Sequence, residues 1–401
     1  MNILVLNCGS SSVKYQLIKA ENQTQLARGQ VERIGMGGAT LSNVRFDGDE
    51  IKIVGEIFDH TIAIEYILAV LLSKNHGVIG DKSDIHAIGH RVVHGGETFS
   101  DSVRITDEVV KTLRENIELA PLHNPHNLRG ISACEAILPG TPQVAVFDTA
   151  FHQRMPRKAY LYGIPYGLYS QYKIRRYGFH GTSHRYVANR AATFLGRKLE
   201  DLKLITCHLG NGCSMAAVDG GVSLDTSMGF TPLEGLLMGT RTGDMDPSVI
   251  LFIMSKEGLT LNEANTLLNK HSGLQGISGI SSDMREIVTE MKGGDKRATL
   301  AFDVFAYRVK KYIGAYAAAL GGVDAVVFTG GIGENSPEIR KASCAGLQFF
   351  GIDVDDQVNE TPEKEKNISR SGSATAVLVI PTNEELVIAL DTMEIVTQLK
   401  K

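Results

Sequence analysis

Chemistry in this chain is concentrated in short stretches rich in glycine, hydroxyls and histidine. The first is Asn7-Cys8-Gly9-Ser10-Ser11-Ser12-Val13-Lys14. Gly9 allows close backbone approach, the N–H groups and hydroxyls of such a turn can cradle an anion, and Lys14 adds a positive charge. The spacing is not a Walker A loop, which needs G-x-x-x-x-G-K-[ST] before a helix. An ordinary serine-rich hairpin turn is the alternative. A second glycine turn is His208-Leu209-Gly210-Asn211-Gly212, and a third is Gly330-Gly331-Ile332-Gly333-Glu334-Asn335. The third follows an apolar strand and opens a helix, where negative groups bind well. It lacks the dinucleotide spacing G-x-G-x-x-G, so a Rossmann reading is weak. Any one of the three could be a plain tight turn. Together they point to a nucleotide clamped between two halves.

His180 and His184 stand four apart in Gly178-Phe179-His180-Gly181-Thr182-Ser183-His184. That spacing suits a metal pair, but no third ligand is in view. One functional histidine at a helix N-terminus, or a hydrogen-bonded structural one, are the readings left. His123 and His126 in H-N-P-H read as loop hydrogen-bonders. Arg91 ends an apolar strand, and Arg241 lies in Gly239-Thr240-Arg241-Thr242-Gly243-Asp244. Arginine in such places suits bidentate binding of carboxylate or phosphate, with a surface ion pair as the alternative. Asp148 reads as a strand-end group. Glu384, in the first turn of the last helix, could simply favour the helix dipole.

These residues need elements to hold them. Ile3-Leu4-Val5-Leu6 is an apolar strand, and Tyr15 to Ile18 alternate as a second one after the turn. Helical periodicity covers 60–74. Ile85 to Val93 is a strand, and Thr106 can cap a helix running to about 119. Gln143 to Phe147 is a strand that delivers Asp148. Near residue 150 the register restarts after Pro- and Tyr-rich loops. A helix over 181–195 stops at Gly196. Leu204 to Ala217 repeats the opening strand–turn–strand unit roughly 200 residues on, which suggests two homologous halves. Further helices are expected over 260–270 and 297–320. Residues 355–373 read as a polar surface excursion. A last strand spans 375–380, and Thr382 to Glu385 has the T-x-x-E form of a capping box before a final helix to about 399.

A chain of 401 residues calls for two domains. Apolar content of 43% and charged content of 21% are those of a soluble globular protein. The net charge of -4 argues against a nucleic-acid binder. There is no run of about 18 apolar residues, so no membrane span is expected. The sequence enters a strand at once with no basic n-region, so no signal peptide is expected. The five cysteines form no C-x-x-C pair, which suggests reduced thiols and a cytoplasmic protein.

The five stretches N-C-G-S-S-S-V-K (7–14), G-F-H-G-T-S-H (178–184), H-L-G-N-G (208–212), M-G-T-R-T-G-D-M-D-P (238–247) and G-G-I-G-E-N (330–335) resemble the acetate kinase family. The resemblance runs in order along essentially the whole chain. It implies an α/β fold of two duplicated actin-like, ribonuclease-H-like domains with a nucleotide cleft between them. The domains would be 1–150, completed by the C-terminal helix 385–401, and 151–384. It implies ATP or ADP as co-substrate, Mg2+ with Mn2+ as a substitute, a homodimer, a metabolic link to phosphate acetyltransferase, and interconversion of acetate and acetyl phosphate. Asn7 and Glu384 would sit at the metal. Arg91 and Arg241 would hold the substrate carboxylate and the phosphoryl group, His180 would hydrogen-bond that group, and Asp148 would lie beside the reacting centre. Lys14, His208, Leu209, Gly210, Asn211, Gly212, Asp283, Met284, Arg285, Gly331, Ile332, Gly333, Glu334 and Asn335 would contact the nucleotide. Val93, Leu122, Phe179 and Pro232 would line the pocket for the substrate methyl. Val93, two residues after Arg91, would share its face on an extended strand. A propionate kinase is the alternative within the family. A sugar kinase of the same fold would need an Asp base and a polar pocket. A nucleotide-switched actin-like or chaperone-like protein would lack the paired arginines.

Overall fold

The computed structural model describes residues 1–121 and 123–398. They form two compact units, Met1–Phe151 joined by the chain from Asn383, and His152–Thr382. The boundary falls at Thr382 rather than 384, so Glu384 belongs to the first unit.

In the first unit the strands are β1 (Asn2–Cys8), β2 (Ser12–Lys19), β3 (Thr24–Glu32), β4 (Ala39–Arg45), β5 (Glu50–Gly55), β6 (Ala87–Val92), β7 (Val103–Arg104) and β8 (Gln143–Phe147). Among the described residues they make one sheet in the order 5-4-3-2-1-6-8-7. β1 to β5 form an antiparallel meander, and β6 and β8 run parallel to β1. The alternation in β2 explains its two faces. Val13, Tyr15 and Leu17 are buried, while Lys14 is exposed and Gln16 half-buried. The buried set packs with Leu4 and Leu6 of β1 against Ile64, Ile67 and Leu68 of the helix His60–Leu71. The opposite face of β1 and β6 carries the C-terminal helix Glu384–Gln398.

The second unit holds β9 (Lys203–Leu209), β10 (Cys213–Asp219), β11 (Val222–Thr226), β12 (Ala325–Thr329), β13 (Lys366–Asn367) and β14 (Ala376–Val379), in the order 11-10-9-12-14-13. The segment 11-10-9-12-14 matches 3-2-1-6-8 of the first sheet strand for strand and in every strand direction. The fold is thus a duplication of one β-meander with two added parallel strands. The helix Gly181–Leu195 packs on β9, and the long helix Lys296–Leu320 packs on β9 and β10. Gly196, at φ +64°, closes the 181–195 helix as expected.

Three sequence expectations fail locally. The segment 355–373 is not a mere excursion: it supplies β13 and buries Asn359, Lys366 and Ile368. Thr382 is not a capping-box residue. Asn383 Oδ1 accepts from the Leu386 N–H at 3.1 Å, so Asn383 caps the last helix. His126 lies within the helix Asn124–Ile137 and stacks on His60, so it is no loop residue. The expected end of the last helix at 399 lies outside the described residues.

The last helix fits because β6 has a glycine beneath it. A Cβ on Gly89 would come within 2.6 Å of both Ile388 Cγ2 and Thr392 Oγ1. Gly89→Val should therefore destabilise the protein by about 1–3 kcal/mol through overpacking. Urea unfolding measures it, and an unchanged midpoint would mean the helix does not depend on this contact.

Candidate functional site

In the first unit β6 delivers Arg91 and β8 delivers Asp148. The parallel register sets Arg91 opposite Val146 and Val92 opposite Phe147, and the Asp148 N–H donates to the Val92 carbonyl at 3.0 Å. Arg91 Nε donates to Asp148 Oδ1 at 2.9 Å and Nη2 to Oδ2 at 2.6 Å. The carboxylate is 2% exposed and the guanidinium 24%. Burial works against the Arg91 charge, but Asp148 outweighs it, with Glu384 and Glu385 adding to the effect, so the guanidinium is held above its usual range. Asp148 is thus the arginine's partner rather than a simple strand cap.

Arg91 lines a cavity of about 410 Å³ with Asn7, Lys14, Glu384 and Glu385. Cross-strand pairing builds its floor: Asn7 faces Lys14, Lys14 faces Gln30, and Gln30 faces Ser42. Burial raises the Glu385 carboxyl, and Glu384 beside it adds to the rise. Asn7 and Glu384 offer hard oxygen donors of the kind Mg2+ takes. Among the described residues no group of three or more His, Cys, Asp or Glu could hold a metal ion by itself. A magnesium ion here would draw its other ligands from phosphate oxygens and water, its usual habit. Lys14 lies in this cavity rather than in the pocket of the second unit.

The second unit has a pocket of about 900 Å³ that gathers Gly210, Asn211, Asp283, Met284, Arg285, Gly331, Ile332 and Asn335. Three stretches far apart in sequence therefore meet in one pocket. Ser282, Val288, Ser336, Pro337 and Glu338 line it as well. His208, Leu209, Gly212, Gly333 and Glu334 do not. Leu209 is buried core, and Glu334 Oε1 accepts from the Gly330 N–H at 2.8 Å and the Thr382 N–H at 3.2 Å. Glu334 thus ties the glycine turn to the chain leaving β14. The turn itself is helical over Gly330–Asn335, entered by Gly330 at φ +76°. No side chain fits there, since a Cβ would lie 2.8 Å from the Leu209 carbonyl oxygen.

Arg241 sits near the second turn. Its Nη1 donates to the Pro232 carbonyl at 3.1 Å, and burial pulls its pKa down. The Gly239 N–H donates to the Asn211 carbonyl at 3.0 Å, so the arginine loop is stitched to the 208–212 turn. A Cβ built on Gly212 would lie 3.6 Å from both Arg241 Nη1 and His180 Cε1. These three residues therefore converge. His180 stands at φ +56°, just before the helix Gly181–Leu195, and its Nδ1 is 2.9 Å from Ser214 Oγ. His152, missed in the sequence, donates from Nε2 to the Phe179 carbonyl at 3.1 Å and so steadies the backbone before His180.

β6 ends at Val92, so strand alternation cannot aim Val93; its N–H is held by Asn127 Oδ1 at 3.2 Å. Phe179 is buried and Pro232 half-buried. Leu122 lies outside the described residues.

The chain matches the Acetokinase family over residues 2–390. The chain belongs to the acetokinase family. An acetate kinase of Symbiobacterium thermophilum is 60% identical over 99% of each chain. Among acetokinase-like structures, that of Porphyromonas gingivalis acetate kinase superposes with a TM-score of 0.95 at 51% identity, covering 98% of this chain and 99% of that one. A propionate kinase of Francisella tularensis gives 0.92 at 44% identity over 98% and 99%. The actin-like fold expected for the acetokinase family is the fold observed.

Some site residues left a trace in the sequence that the motifs did not use. Ser214 and Thr206 are hydroxyls inside otherwise apolar strands, and a buried hydroxyl demands a partner. Glu385 simply follows Glu384. Val288 and Pro337 carried no signal. Asp148→Ala would leave the Arg91 charge without its carboxylate. The loss should be about 3 kcal/mol, the low end for a broken buried pair because the arginine keeps some solvent. Chemical unfolding of the purified variant measures it, and stability within about 0.5 kcal/mol of wild type would remove the pair from the stabilising contacts.

Proposed function

We infer that the protein transfers the terminal phosphoryl group of ATP to acetate, giving acetyl phosphate and ADP, and catalyses the reverse reaction. The observation that carries this is the family match along the whole chain, with relatives near 60% identity that are acetate kinases.

The residues suit the chemistry. A carboxylate is already ionised near neutrality, so it needs no strong base to attack phosphorus. It needs its charge balanced, so that two anions can meet, and in-line placement. Arg91 takes the acetate carboxylate, and Arg241 takes the phosphoryl oxygens, with a hydrogen bond from His180. Lys14 adds positive charge beside Arg91. Asp148 orients Arg91; both its oxygens are engaged by that guanidinium, which does not suit a proton-abstracting base. Asn7 and Glu384 hold Mg2+, which neutralises phosphate charge when bound. Gly210, Asn211, Asp283, Met284, Arg285, Gly331, Ile332 and Asn335 take the nucleotide in the 900 Å³ pocket.

The protein is cytoplasmic in this reading, and its product feeds phosphate acetyltransferase. All five cysteines are free and buried, and among the described residues no helix is long and apolar enough to cross a membrane. It works as a homodimer. Support comes from the helix Pro247–Glu257, PSVILFIMSKE, which buries none of its residues and leaves Leu251 66% and Phe252 62% exposed. Exposed apolar faces of this kind mark protein contacts. Leu251→Glu with Phe252→Glu should shift the sedimenting species to half its mass, and an unchanged dimer would place the contact elsewhere.

The overlap with a propionate kinase keeps propionate in view as a second acceptor. A nucleotide-dependent assay that traps acyl phosphate with hydroxylamine tests all of this together. Acetate should be preferred over propionate by roughly 10- to 200-fold, the worth of one methylene in an apolar pocket. Val93→Ala should narrow or reverse that ratio. Arg91→Ala and Arg241→Ala should each cut turnover by about two to four powers of ten. Absence of acyl phosphate from the wild type would defeat the assignment, and near-normal turnover in either arginine variant would remove that residue from the site.

A further inference from the structure

A neutral imidazole donates from only one nitrogen, so a histidine that must donate to a phosphoryl oxygen needs its tautomer fixed. His180 Nδ1 lies 2.9 Å from Ser214 Oγ. The same oxygen lies 2.8 Å from His184 Nε2. His184 Nδ1 in turn lies 2.7 Å from Thr206 Oγ1. Thr206, His184 and Ser214 are all fully buried. The series Thr206–His184–Ser214–His180 runs from β9 through the helix Gly181–Leu195 to β10, and back to the residue before that helix.

Hydrogen-bond bookkeeping gives the series a direction. The Thr206 hydroxyl has His184 Nδ1 as its partner, and a buried hydroxyl proton without an acceptor is unfavourable. Thr206 therefore donates to His184 Nδ1. His184 is neutral: burial, with His152 and His208 nearby, holds it well below the ordinary histidine value. Its proton is then on Nε2 and goes to Ser214 Oγ. The Ser214 proton goes to His180 Nδ1, which leaves the His180 proton on Nε2. The reverse order would strand the Thr206 proton.

We propose that Thr206, His184 and Ser214 form a positioning relay that holds His180 neutral, with its proton on Nε2 ready to donate to the phosphoryl group. The catalytic consequence rests on the phosphoryl contact assigned to His180 above; the tautomer does not. A charged His180 would have to donate from Nδ1 to Ser214, which would then accept twice and lose the acceptor for its own proton. Arg241 Nη1 acts the same way, since it and the His180 ring converge on one point at Gly212. A fixed guanidinium there disfavours a second cation and leaves the positive charge to Arg241.

Nitrogen-15 spectra of the full-length protein, histidine-labelled and free of substrate, read the tautomer directly. The His180 signals are assigned by their loss in His180→Gln. Nε2 should be protonated and Nδ1 bare from about pH 6 to 8, around the ordinary histidine range. Ser214→Ala should mix the tautomers, lower kcat about 10- to 100-fold with KM nearly unchanged, and add an acid limb to the pH profile. Ser214→Thr should restore most of kcat. If Ser214→Ala does not fold, Thr206→Val, which keeps the strand side-chain shape, should move part of the His180 proton to Nδ1. A proton on Nδ1 in the wild type, or a folded Ser214→Ala with wild-type spectrum and pH profile, overturns the relay. Wild-type turnover in His180→Gln would instead remove the phosphoryl contact and leave the tautomer result standing.

Discussion

A guanidinium at the end of a buried strand has to be answered by a carboxylate, and most of the first unit is arranged so that Asp148 can answer Arg91. The two residues come from strands some fifty residues apart, so β6 and β8 must be parallel neighbours in one register. That register is held by a continuous ladder that reaches Asp148 itself, through its N–H on Val92. The helix Asn124–Ile137 that links these strands then covers the face shared with β1. On the opposite face, Gly89 keeps β6 flat enough for the last helix to lie close, which sets Glu384 and Glu385 on the rim of the Arg91 cavity. The second unit keeps the same strand order with Thr329 in the place of Arg91, so the pair exploits this topology rather than creating it.

The second unit solves a different problem with different means. Apart from Arg241, its centre is lined by neutral groups: imidazoles, hydroxyls and peptide N–H groups. His152, His184 and His208 are buried or nearly so, and each has a hydroxyl partner, Ser223, Thr206 with Ser214, and Ser183. Ser183 also meets the Thr382 hydroxyl at 2.8 Å, so the network reaches the last residue of the unit. Such a network is rigid only when every member is satisfied, because an unpaired buried polar group is far more unfavourable than in water. That demand explains why so many small polar residues sit in strands otherwise built from Ile, Val, Leu and Cys.

Much of this was legible in the sequence, and the boundary of legibility is physical. Strand–glycine turn–strand units at 3–18 and 204–217 announced the duplication, because glycine and apolar runs act locally. Gln143–Phe147, the 181–195 helix and the helix Leu261–Lys270 appeared within a residue of where the sequence pattern put them. What failed needed three dimensions. Asp148 read as a strand cap because its partner is 57 residues away. Thr382 to Glu385 matched a capping box locally, yet the Thr382 N–H is claimed by Glu334, a contact no local rule can weigh. Glu334 itself looked like a nucleotide contact by its place in the glycine motif. Its carboxylate is instead consumed in holding that motif's backbone.

The duplication shows how one skeleton came to serve both charge and neutrality. Asn7 pairs with Lys14 across β1–β2, and His208 pairs with Ser214 across β9–β10. Leu209 and Cys8 follow, each leading into its glycine turn, so Asn7 and His208 occupy equivalent places, as do Lys14 and Ser214. Continuing the parallel ladder one step past Leu6 and His90 sets Arg91 beside Asn7, and Thr329 stands beside His208 in the same way. One copy therefore carries an amide, an ammonium and a guanidinium at the three positions where the other carries an imidazole and two hydroxyls. A cation at Ser214 would drive His180 and His184 to compete with it for solvation in a dry site, and a serine at Lys14 would leave Glu384 and Glu385 facing Arg91 alone. The turns differ to match: four residues separate Cys8 from Val13, and three separate Leu209 from Cys213. Gly210 and Asn211 of the shorter turn line the pocket of the second unit, where the longer turn's sheet presents Asn7, Lys14 and Arg91 to its own cavity.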